Sequence, residues 1–470
     1  MRTPLFGMIL PYVPLAMGAT LSLLSLMLIE KFPNGIFEDD VYFYFQIARN
    51  ILETGRSTFD GIETTNGYHP LWMGILVLAG LPAKLLDAHN SLLFAFCFVL
   101  VSCATWALSL AYLRKEAMLL GAVLGLYCGL GMETPLASFL LIKVFDRVLK
   151  NESALVWVYL MVATRIDLVV AVLPLWFVVD RKEGRRLVAA ALLAGFTVGA
   201  FNLALTGFPY SISAYIKART MSRNPLSTLA NNFRGWGGLY RYSVLVLANS
   251  MIFYRVKRLA RMWTPHEART TWLLLTSANA FVVFHTLVSG IRDWHFAPSL
   301  LSLLYLWSRL ELRSISMEDK SPTDPWLRWG MLAAAGAGIV LFCAYVALRS
   351  DDMKYSREFI ADVRKAVPTG STIYALDGAG YLGWMLHGHP RVIDGDGLVN
   401  SFEYYQSTYL PCELDAYFRQ HSIDYYVKTS LGTPNCPTGC YCLPSGQSEL
   451  LAASQSTRNF LAYRLYRVTR

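Results

Sequence analysis

Three adjacent acidic residues, Glu38, Asp39 and Asp40, follow the first long apolar run of the sequence, which covers about residues 8–29. A single acidic residue at a helix N-terminus is enough to cap the helix and to interact favourably with its dipole. Three in a row beside a predicted membrane span also suit a general base, or the oxygen ligands that a hard cation prefers. The acids are therefore the first candidates for a chemical role.

The residues that follow the acids predict an amphipathic helix. Gln46, Arg49, Asn50 and Glu53 recur with helical spacing, and aromatic and apolar residues occupy the opposite side. A helix of this kind can lie in the membrane interface, and we expect it to carry the acids at its N-terminus. The acids and the helix lie in a predicted outer loop, residues 30–69.

The same loop ends in the sequence Thr-Thr-Asn-Gly-Tyr-His-Pro-Leu-Trp, residues 64–72. Asn66-Gly67 indicates a turn, and His69 then precedes the next predicted span. His69 is either a hydrogen-bonding residue at a helix start or a contact to a phosphate or hydroxyl group beside the acids.

Charged residues also interrupt the predicted spans. Arg165 and Asp167 lie within the apolar stretch 154–179, and charges at membrane depth are costly and usually functional. The alternatives are a salt bridge between the two or a short surface loop. Glu133 lies between two apolar segments and is followed by Pro135, so it is either part of a helix cap or a contact to substrate.

A further polar cluster, residues 289–298, precedes another predicted span. It contains Arg292, Trp294 and His295. Arg292 suits a lipid phosphate, which a guanidinium can bind in bidentate fashion. The alternative is an ordinary belt of aromatic residues at the membrane surface.

Membrane-spanning helices must position these residues. The chain has 470 residues, of which 54% are hydrophobic and 16% are charged, whereas soluble domains carry about 25% charged residues. Its apolar runs of about 20 residues are long enough to cross a bilayer. The net charge of +9 fits basic cytoplasmic loops better than binding to nucleic acid. We predict a polytopic α-helical membrane protein with about 11–13 spans.

Two segments leave the number of spans open. Residues 154–179 form either one long span or two short helices that break at residues 164–167. If they form two short helices, the number of spans becomes even. The first loop and the last domain can then both lie outside only if another segment is re-entrant. The candidate is residues 70–86, with a predicted break at Gly80-Leu81-Pro82.

The composition becomes that of a soluble domain after a last span at about residues 329–348. We place the boundary between a membrane domain, 1–349, and a small extracytoplasmic α/β domain, 350–470. Alternating strands and helices predict a sheet with helices packed on it. The predicted strands are 371–376, 391–393, 424–428 and 462–468, and the predicted helices are 380–387 and 413–420.

Four cysteines cluster in this last domain: Cys412, Cys436, Cys440 and Cys442. They suit either disulfide bonds or a zinc site. We favour disulfide bonds, because no nearby histidine completes a usual zinc-ligand spacing. Disulfide bonds imply an oxidising, extracytoplasmic compartment.

The first loop resembles the GT-C superfamily of membrane glycosyltransferases, which includes protein O-mannosyltransferases, the lipid A aminoarabinose transferase and mycobacterial arabinofuranosyltransferases. Glu38-Asp39-Asp40 is similar to the modified Asp-x-Asp motif of that family. The stretch 38–72, which contains Asp-Asp-x-Tyr and the sequence at 64–72, resembles bacterial arabinosyl- or mannosyltransferase-like members of unassigned substrate, and so does Asp-Gly-Asp-Gly-Leu-Val-Asn-Ser at 394–401.

The resemblance implies an enzyme that moves a hexosyl or pentosyl group from a polyprenyl-phosphate donor to an extracytoplasmic glycan, lipid or protein. Transfer would be a single inverting displacement at the outer face of the inner cell membrane. In this scheme Asp39 is the base, and Asp40 orients it or holds Mg²⁺, Mn²⁺ or Ca²⁺. The implied phosphate contacts are Arg292, His295, Arg165 and His69, and the implied substrate contacts are Glu38, Trp294 and Glu133.

A transporter or flippase of a lipid-linked sugar is the alternative function. It would also use charges within the membrane, but it needs no carboxylate cluster on an outer loop. The sequence shows no clear internal repeat of the kind that many transporters carry. A non-catalytic scaffold would leave the acids and His69 unexplained. The glycosyltransferase is therefore the favoured prediction.

Overall fold

The computed structural model divides into two compact units. The first unit comprises Met1–Leu23, Leu100–Thr197 and Met221–Ala344, and the second comprises Leu24–Val99, Val198–Thr220 and Tyr345–Arg470. The second unit therefore contains both the predicted first loop and the C-terminal segment. The described residues are 20, 37–87, 90–126, 130–177, 181–220, 236–259, 263–289, 293–316, 325–376, 378–386, 390–429, 447–454 and 463–469.

Helices make up most of the described chain. The first eight are α1 (Asp39–Thr54), α2 (Pro70–Asp87), α3 (Ser91–Leu110), α4 (Lys115–Gly125), α5 (Thr134–Leu149), α6 (Leu155–Thr164), α7 (Val169–Val172) and α8 (Arg181–Thr206). The next five are α9 (Ile212–Thr220), α10 (Trp236–Leu259), α11 (Pro265–Phe284), α12 (Asp293–Ser316) and α13 (Pro325–Ala366). The last three are the short helices α14 (Ala379–Met385), α15 (Phe402–Tyr404) and α16 (Leu414–Gln420).

The chain is a multi-pass membrane protein. Five helices in its described part are long and apolar enough to cross a bilayer. They cover Pro70–Asp87, Ser91–Leu110, Lys182–Thr206, Pro265–Leu287 and Trp329–Ala347. Large apolar side chains such as Leu85 and Phe196 remain exposed on these helices, as expected where lipid replaces water. The predicted first span, about residues 8–29, lies outside the described residues apart from residue 20.

The apolar stretch 154–179 breaks in the way that one of the two alternatives predicts. Helix α6 ends at Thr164, and Arg165 has the extended dihedrals φ −146° and ψ 109°. A 3₁₀ turn, Ile166–Leu168, comes next, followed by α7 and a second 3₁₀ segment, Leu173–Phe177. At this break the backbone of Arg165 leaves the helical conformation.

The predicted break at residues 80–82 is wrong. Helix α2 runs without interruption through Pro82, because one internal proline removes a single backbone hydrogen bond and membrane helices tolerate it. Gly80 serves packing: a Cβ there would lie 2.6 Å from Leu52 Cδ1 and 2.9 Å from Phe98 Cε1. The glycine lets α1 and α3 approach α2 closely.

The segment that follows α8 contains the nine-residue helix α9. Ile212 and Ile216 lie four residues apart on one side of it and pack against Phe402 and Tyr405. A nine-residue helix is marginal by itself in water. Packing within the second unit therefore decides that this segment is helical.

A five-stranded sheet in the second unit confirms the predicted α/β domain. Its strand order is β2-β1-β3-β5-β4, with β1 parallel to β2 and β3, and β5 antiparallel to β3 and β4. The four predicted strands and both predicted helices are present, whereas β4 was not predicted. The strands are β1 (Thr372–Ala375), β2 (Arg391–Asp394), β3 (Tyr425–Thr429), β4 (Gln447–Ala453) and β5 (Tyr463–Thr469).

Of the four C-terminal cysteines, Cys412 lies in the described part of the chain, at a positive φ of 64°. Cys436, Cys440 and Cys442 lie outside the described residues. Disulfide bonding among these four stays a prediction.

Candidate functional site

The three acids stand at the start of α1. Glu38 occupies the N-cap position with extended dihedrals, makes no side-chain cap hydrogen bond, and is exposed. Asp39 and Asp40 follow in the first turn of the helix, where the helix dipole favours negative charge. The side chain of Glu38 therefore does not cap α1.

Asp39 is held by another helix N-terminus, that of α14. The backbone N–H of Tyr381 donates to Asp39 Oδ1 at 2.7 Å, and that of Gly380 donates to Oδ2 at 3.2 Å. Position 380 needs glycine, because a Cβ there would lie 2.4 Å from the Asp39 carbonyl oxygen. Residues 341 positions apart thus fix the direction of the Asp39 carboxylate.

This contact yields a prediction for Gly380→Ala. The added methyl must displace the start of α1 or of α14, and overpacking of this kind costs about 1–3 kcal/mol. We expect a lower thermal unfolding midpoint and slower turnover. Gly74→Ala on α2 is the matched control, because nothing lies within 4 Å of a Cβ at Gly74. A Gly380→Ala protein that behaves like Gly74→Ala would contradict the proposed role of this contact.

Asp40 lies beside a lysine side chain. Lys217 of α9 places its Nζ 3.6 Å from Asp40 Oδ2, and the two side chains are 50% and 28% exposed. The carboxylate of Asp40 therefore lies beside a cation and remains partly accessible to solvent.

Most of the polar side of α1 is buried against protein, and its position in the membrane interface stays a prediction. Arg49 is 2% exposed and donates to Glu53 Oε1 and to Ser91 Oγ, both at 2.6 Å. Asn50 Nδ2 donates to the carbonyl oxygens of Thr58 and Phe59 at 2.8 and 2.9 Å. These polar side chains therefore donate hydrogen bonds to the following loop and to the start of α3.

Asn66 and Gly67 join the first loop to two other segments of the same unit. The fully buried Asn66 donates from Nδ2 to Thr206 Oγ1 and accepts from the Ile212 N–H, each at 3.0 Å. It thereby sets the start of α9, the helix that carries Lys217. A Cβ at Gly67 would lie 2.2 Å from the Leu398 carbonyl oxygen. The two segments that carried the family resemblance, 64–72 and 394–401, therefore pack together.

A buried acid lies in the second of these segments. Asp394 is 1% exposed, and its Oδ2 accepts a hydrogen bond from the Val399 N–H at 2.9 Å. Burial raises the pKa of the Asp394 carboxyl well above its ordinary range, and the charges of Asp396 and, to a smaller extent, Asp39 add to the effect. Asp394 was not among the predicted site residues, although the Asp-Gly-Asp-Gly sequence was noted.

The raised pKa predicts how stability depends on pH. Because the folded pKa lies above the unfolded one, ionising Asp394 costs nothing below about pH 3.9 and costs more as pH rises towards the folded pKa. Asp394→Asn removes the charge and keeps an acceptor for the Val399 N–H. We expect its unfolding midpoint to fall less than that of the wild type as the pH rises above about 4. Asp362→Asn, at an exposed position of α13, is the control; equal slopes in all three proteins would contradict the prediction.

A second cluster, in the first unit, contains the predicted residues Arg165 and Glu133. Arg165 donates from Nη1 to Glu133 Oε1 at 2.9 Å, and from Nε and Nη2 to the two oxygens of Asp167 at 3.1 and 2.7 Å. Arg165 is 4% exposed and Glu133 1%. The salt-bridge alternative is therefore realised, with two acids around one guanidinium. A phosphate contact by Arg165 stays a prediction.

His285 belongs to this cluster and was not predicted. Its Nε2 lies 2.9 Å from Asp167 Oδ2, and its ring stacks on His295 with centroids 3.9 Å apart and planes 8° apart. Trp294 meets His295 edge to face at 5.8 Å. A histidine inside an apolar run was the available signal, since polar residues at membrane depth are expensive and usually functional.

The remaining predicted residues are not brought into either cluster by the contacts described above. His69 is half-buried directly before α2, where its carbonyl oxygen accepts from the Met73 N–H at 3.0 Å. Arg292 lies outside the described residues. The roles of His69 and Arg292, and a metal ion at Asp40, stay predictions.

Two solved structures match nearly the whole chain, although no family model and no curated protein matches the sequence. Both are crystal structures of ArnT from Cupriavidus metallidurans. The structure bound to undecaprenyl phosphate has a TM-score of 0.57 at 12% identity, over 96% of this chain and 97% of that chain. The apo structure has a TM-score of 0.53 at 13% identity, over 96% and 98%.

This chain has the ArnT fold. The predicted architecture, an α-helical membrane protein with a small C-terminal α/β part, is thereby confirmed. At 12–13% identity the likeness to ArnT concerns the backbone. Roles for individual side chains must come from the geometry of this chain.

Proposed function

We propose that this protein is a membrane glycosyltransferase that uses a polyprenyl-phosphate sugar as donor. The observation that carries the proposal is a carboxylate pair, Asp39 and Asp40, at the start of α1 in a chain with the ArnT fold. One of the ArnT structures is bound to undecaprenyl phosphate, and a lipid of that class is the donor carrier we propose here. The acceptor is a hydroxyl-bearing glycan, lipid or protein on the extracytoplasmic side of the inner membrane.

The proposed reaction is an inverting displacement in one step. The acceptor oxygen forms a bond to the anomeric carbon while the bond from that carbon to the donor phosphate oxygen breaks. A carboxylate takes the acceptor proton, and the polyprenyl phosphate leaves with the bonding electrons. Atoms and charge balance without any further reactant.

We assign the base to Asp40, one residue beyond the position that the sequence favoured. Both oxygens of Asp39 already accept backbone N–H groups, and hydrogen bonds to a carboxylate weaken it as a base. Asp40 is partly exposed, with its nearest ion-pair partner, Lys217, at 3.6 Å. Asp39 is then the residue that positions the start of α1.

Lys217 joins the predicted candidates for the leaving phosphate. It places a cation beside the proposed base, and positive charge stabilises the negative charge that develops on a leaving phosphate. Arg165 is less suited to this role, because Glu133 and Asp167 already share its guanidinium. Arg292 and His295 remain donor-phosphate candidates.

Transfer and transport are separated by one experiment in proteoliposomes. The wild type is supplied with radiolabelled polyprenyl-phosphate hexoses and pentoses, and both label in a membrane-extracted acceptor fraction and donor movement across the bilayer are measured. We expect label to reach the acceptor, with release of polyprenyl phosphate. Donor movement without transfer would favour the flippase and overturn the proposal.

The extracytoplasmic placement makes a separate prediction for the four C-terminal cysteines. We expect Cys412, Cys436, Cys440 and Cys442 to resist a membrane-impermeant thiol reagent on intact cells and to react after reduction, because disulfide bonds persist outside the cytoplasm. Cys103, a fully buried cysteine on α3, is the internal control that should stay unlabelled. Labelling of all four without reductant would contradict the disulfides, and no labelling after reduction would contradict the placement.

A further inference from the structure

Three side chains able to bind a metal ion converge where helices of the first unit are interrupted. Asp167 lies in the 3₁₀ turn after the break at Arg165, and His285 begins a π-helical segment, His285–Ser289. His295 lies in the first turn of α12. Interruptions of this kind, π-helical segments in particular, are frequent at functional sites.

The distances between these three residues suit a common ligand. One ligand atom from each of Asp167, His285 and His295 lies within 4.8 Å of the other two. Both histidines are buried, at 5% and 9% exposure, whereas the Asp167 side chain is 20% exposed. The histidine nitrogens are therefore buried, whereas the aspartate carboxylate is partly accessible to solvent. Among the described residues, no other group of three such side chains meets this distance criterion.

The charges of the cluster call for a further positive charge. Glu133 and Asp167 contribute two negative charges, and Arg165, which pairs with both, contributes one positive charge. The charges of these three side chains sum to −1, and a cation bound among them is therefore electrostatically favoured. Either a proton on one imidazole or a bound cation can supply the compensation. Two imidazoles stacked at 3.9 Å cannot both be protonated without strong repulsion.

We propose that Asp167, His285 and His295 together bind one divalent transition-metal ion, with zinc the best match. Two imidazole nitrogens and one carboxylate oxygen form the donor set of zinc sites that keep a fourth position open. Nitrogen donors favour zinc over Mg²⁺ or Ca²⁺, which prefer all-oxygen sites. The site is thus chemically distinct from the oxygen-only site predicted at Asp40.

Arg165 orients the proposed site. Its bonds from Nε and Nη2 to the two oxygens of Asp167 hold the carboxylate in place, as outer partners do for many metal ligands. On binding, the two stacked rings must rotate out of their parallel arrangement so that both nitrogen lone pairs point at the ion. With neutral histidines a divalent ion brings the charge of the cluster to +1. An anionic fourth ligand, such as a phosphate oxygen, would then be favoured, a step that rests on the proposed function.

The test measures metal content without any donor, so its result is independent of glycosyl transfer. Full-length, tag-free protein in lipid nanodiscs is stripped with a chelator, incubated with Zn²⁺, desalted and analysed by mass spectrometry for bound zinc. We expect one zinc per chain in the wild type, and a loss of at least about tenfold in occupancy in His285→Gln and His295→Gln, as expected when a metal ligand is removed. His266→Gln is the matched control, because His266 is exposed in the first turn of α11.

Cobalt provides a second measurement that does not depend on the variants folding well. Co²⁺-loaded wild type should show the visible ligand-field bands of four-coordinate cobalt, and Zn²⁺ should displace them. Equal zinc content in the wild type, His295→Gln and the stripped protein, or six-coordinate cobalt spectra alone, would overturn the proposal. A protonated histidine would then supply the missing charge.

Discussion

Asp40→Asn is expected to reduce glycosyl transfer by about 10²-fold or more, the scale on which a lost general base acts. The substitution keeps the shape of the side chain and removes its basicity. Because the Asp40 side chain is 28% exposed and its partner Lys217 is 50% exposed, folding and donor binding should survive. Single-turnover transfer from a radiolabelled donor, with donor affinity measured in parallel, checks both expectations.

Two further substitutions make the assignment decisive. Asp362→Asn, at an exposed position of α13, should retain nearly normal turnover. Asp39→Asn places an amide NH₂ against a backbone N–H of α14, so it should lower stability together with activity. If Asp39→Asn instead folds as the wild type does and loses transfer while Asp40→Asn stays active, the base is Asp39.

Arg165→Met is expected to have the largest effect on stability. The substitution leaves Glu133 and Asp167 without their shared cation, and removing one partner of a buried ion pair costs about 3–5 kcal/mol. We expect a marked fall in the unfolding midpoint in detergent. Glu133→Gln combined with Arg165→Met should recover part of the loss, because it removes one of the stranded charges.

An exposed ion pair in the same unit provides the control for Arg165. Arg186 and Glu183 on α8 lie 3.4 Å apart, with side chains 54% and 22% exposed, and such pairs contribute about 0–1 kcal/mol. Arg186→Met should therefore leave the midpoint nearly unchanged. If Arg165→Met were as stable as Arg186→Met but bound the donor weakly, Arg165 would contact the phosphate, as the sequence predicted.

The secondary structure was largely predictable because its signals are local. A strand or a helix depends on the spacing of apolar residues within about 4–20 positions. For this reason β1, β2 and β3 were found within one or two residues of their observed bounds, and the alternative with a break at residues 164–167 is the one observed. The edge strand β4 was missed, since side chains such as Leu450 are exposed there and give no clear alternation.

The burial of the polar side of α1 shows where local patterns stop being informative. The sequence determined that the polar side chains share one side of a helix. It did not determine whether that side meets lipid head groups or protein, because polar side chains on one side of a helix can form hydrogen bonds in both environments. The loop after α1 and the N-terminus of α3 supply the partners of Asn50 and Arg49.

The sequence by itself determined the membrane-spanning architecture, the C-terminal sheet and the identity of the acidic motif. Only the tertiary structure decided what surrounds each acid. Asp39 meets Gly380 and Tyr381 across more than 340 positions, and Asp167 meets His285 across 118. Contacts at such separations depend on how whole helices pack, and packing depends on the summed fit of many side chains. No short stretch of sequence encodes that fit, which is why His285 and the partners of Asp39 emerged only from the folded chain.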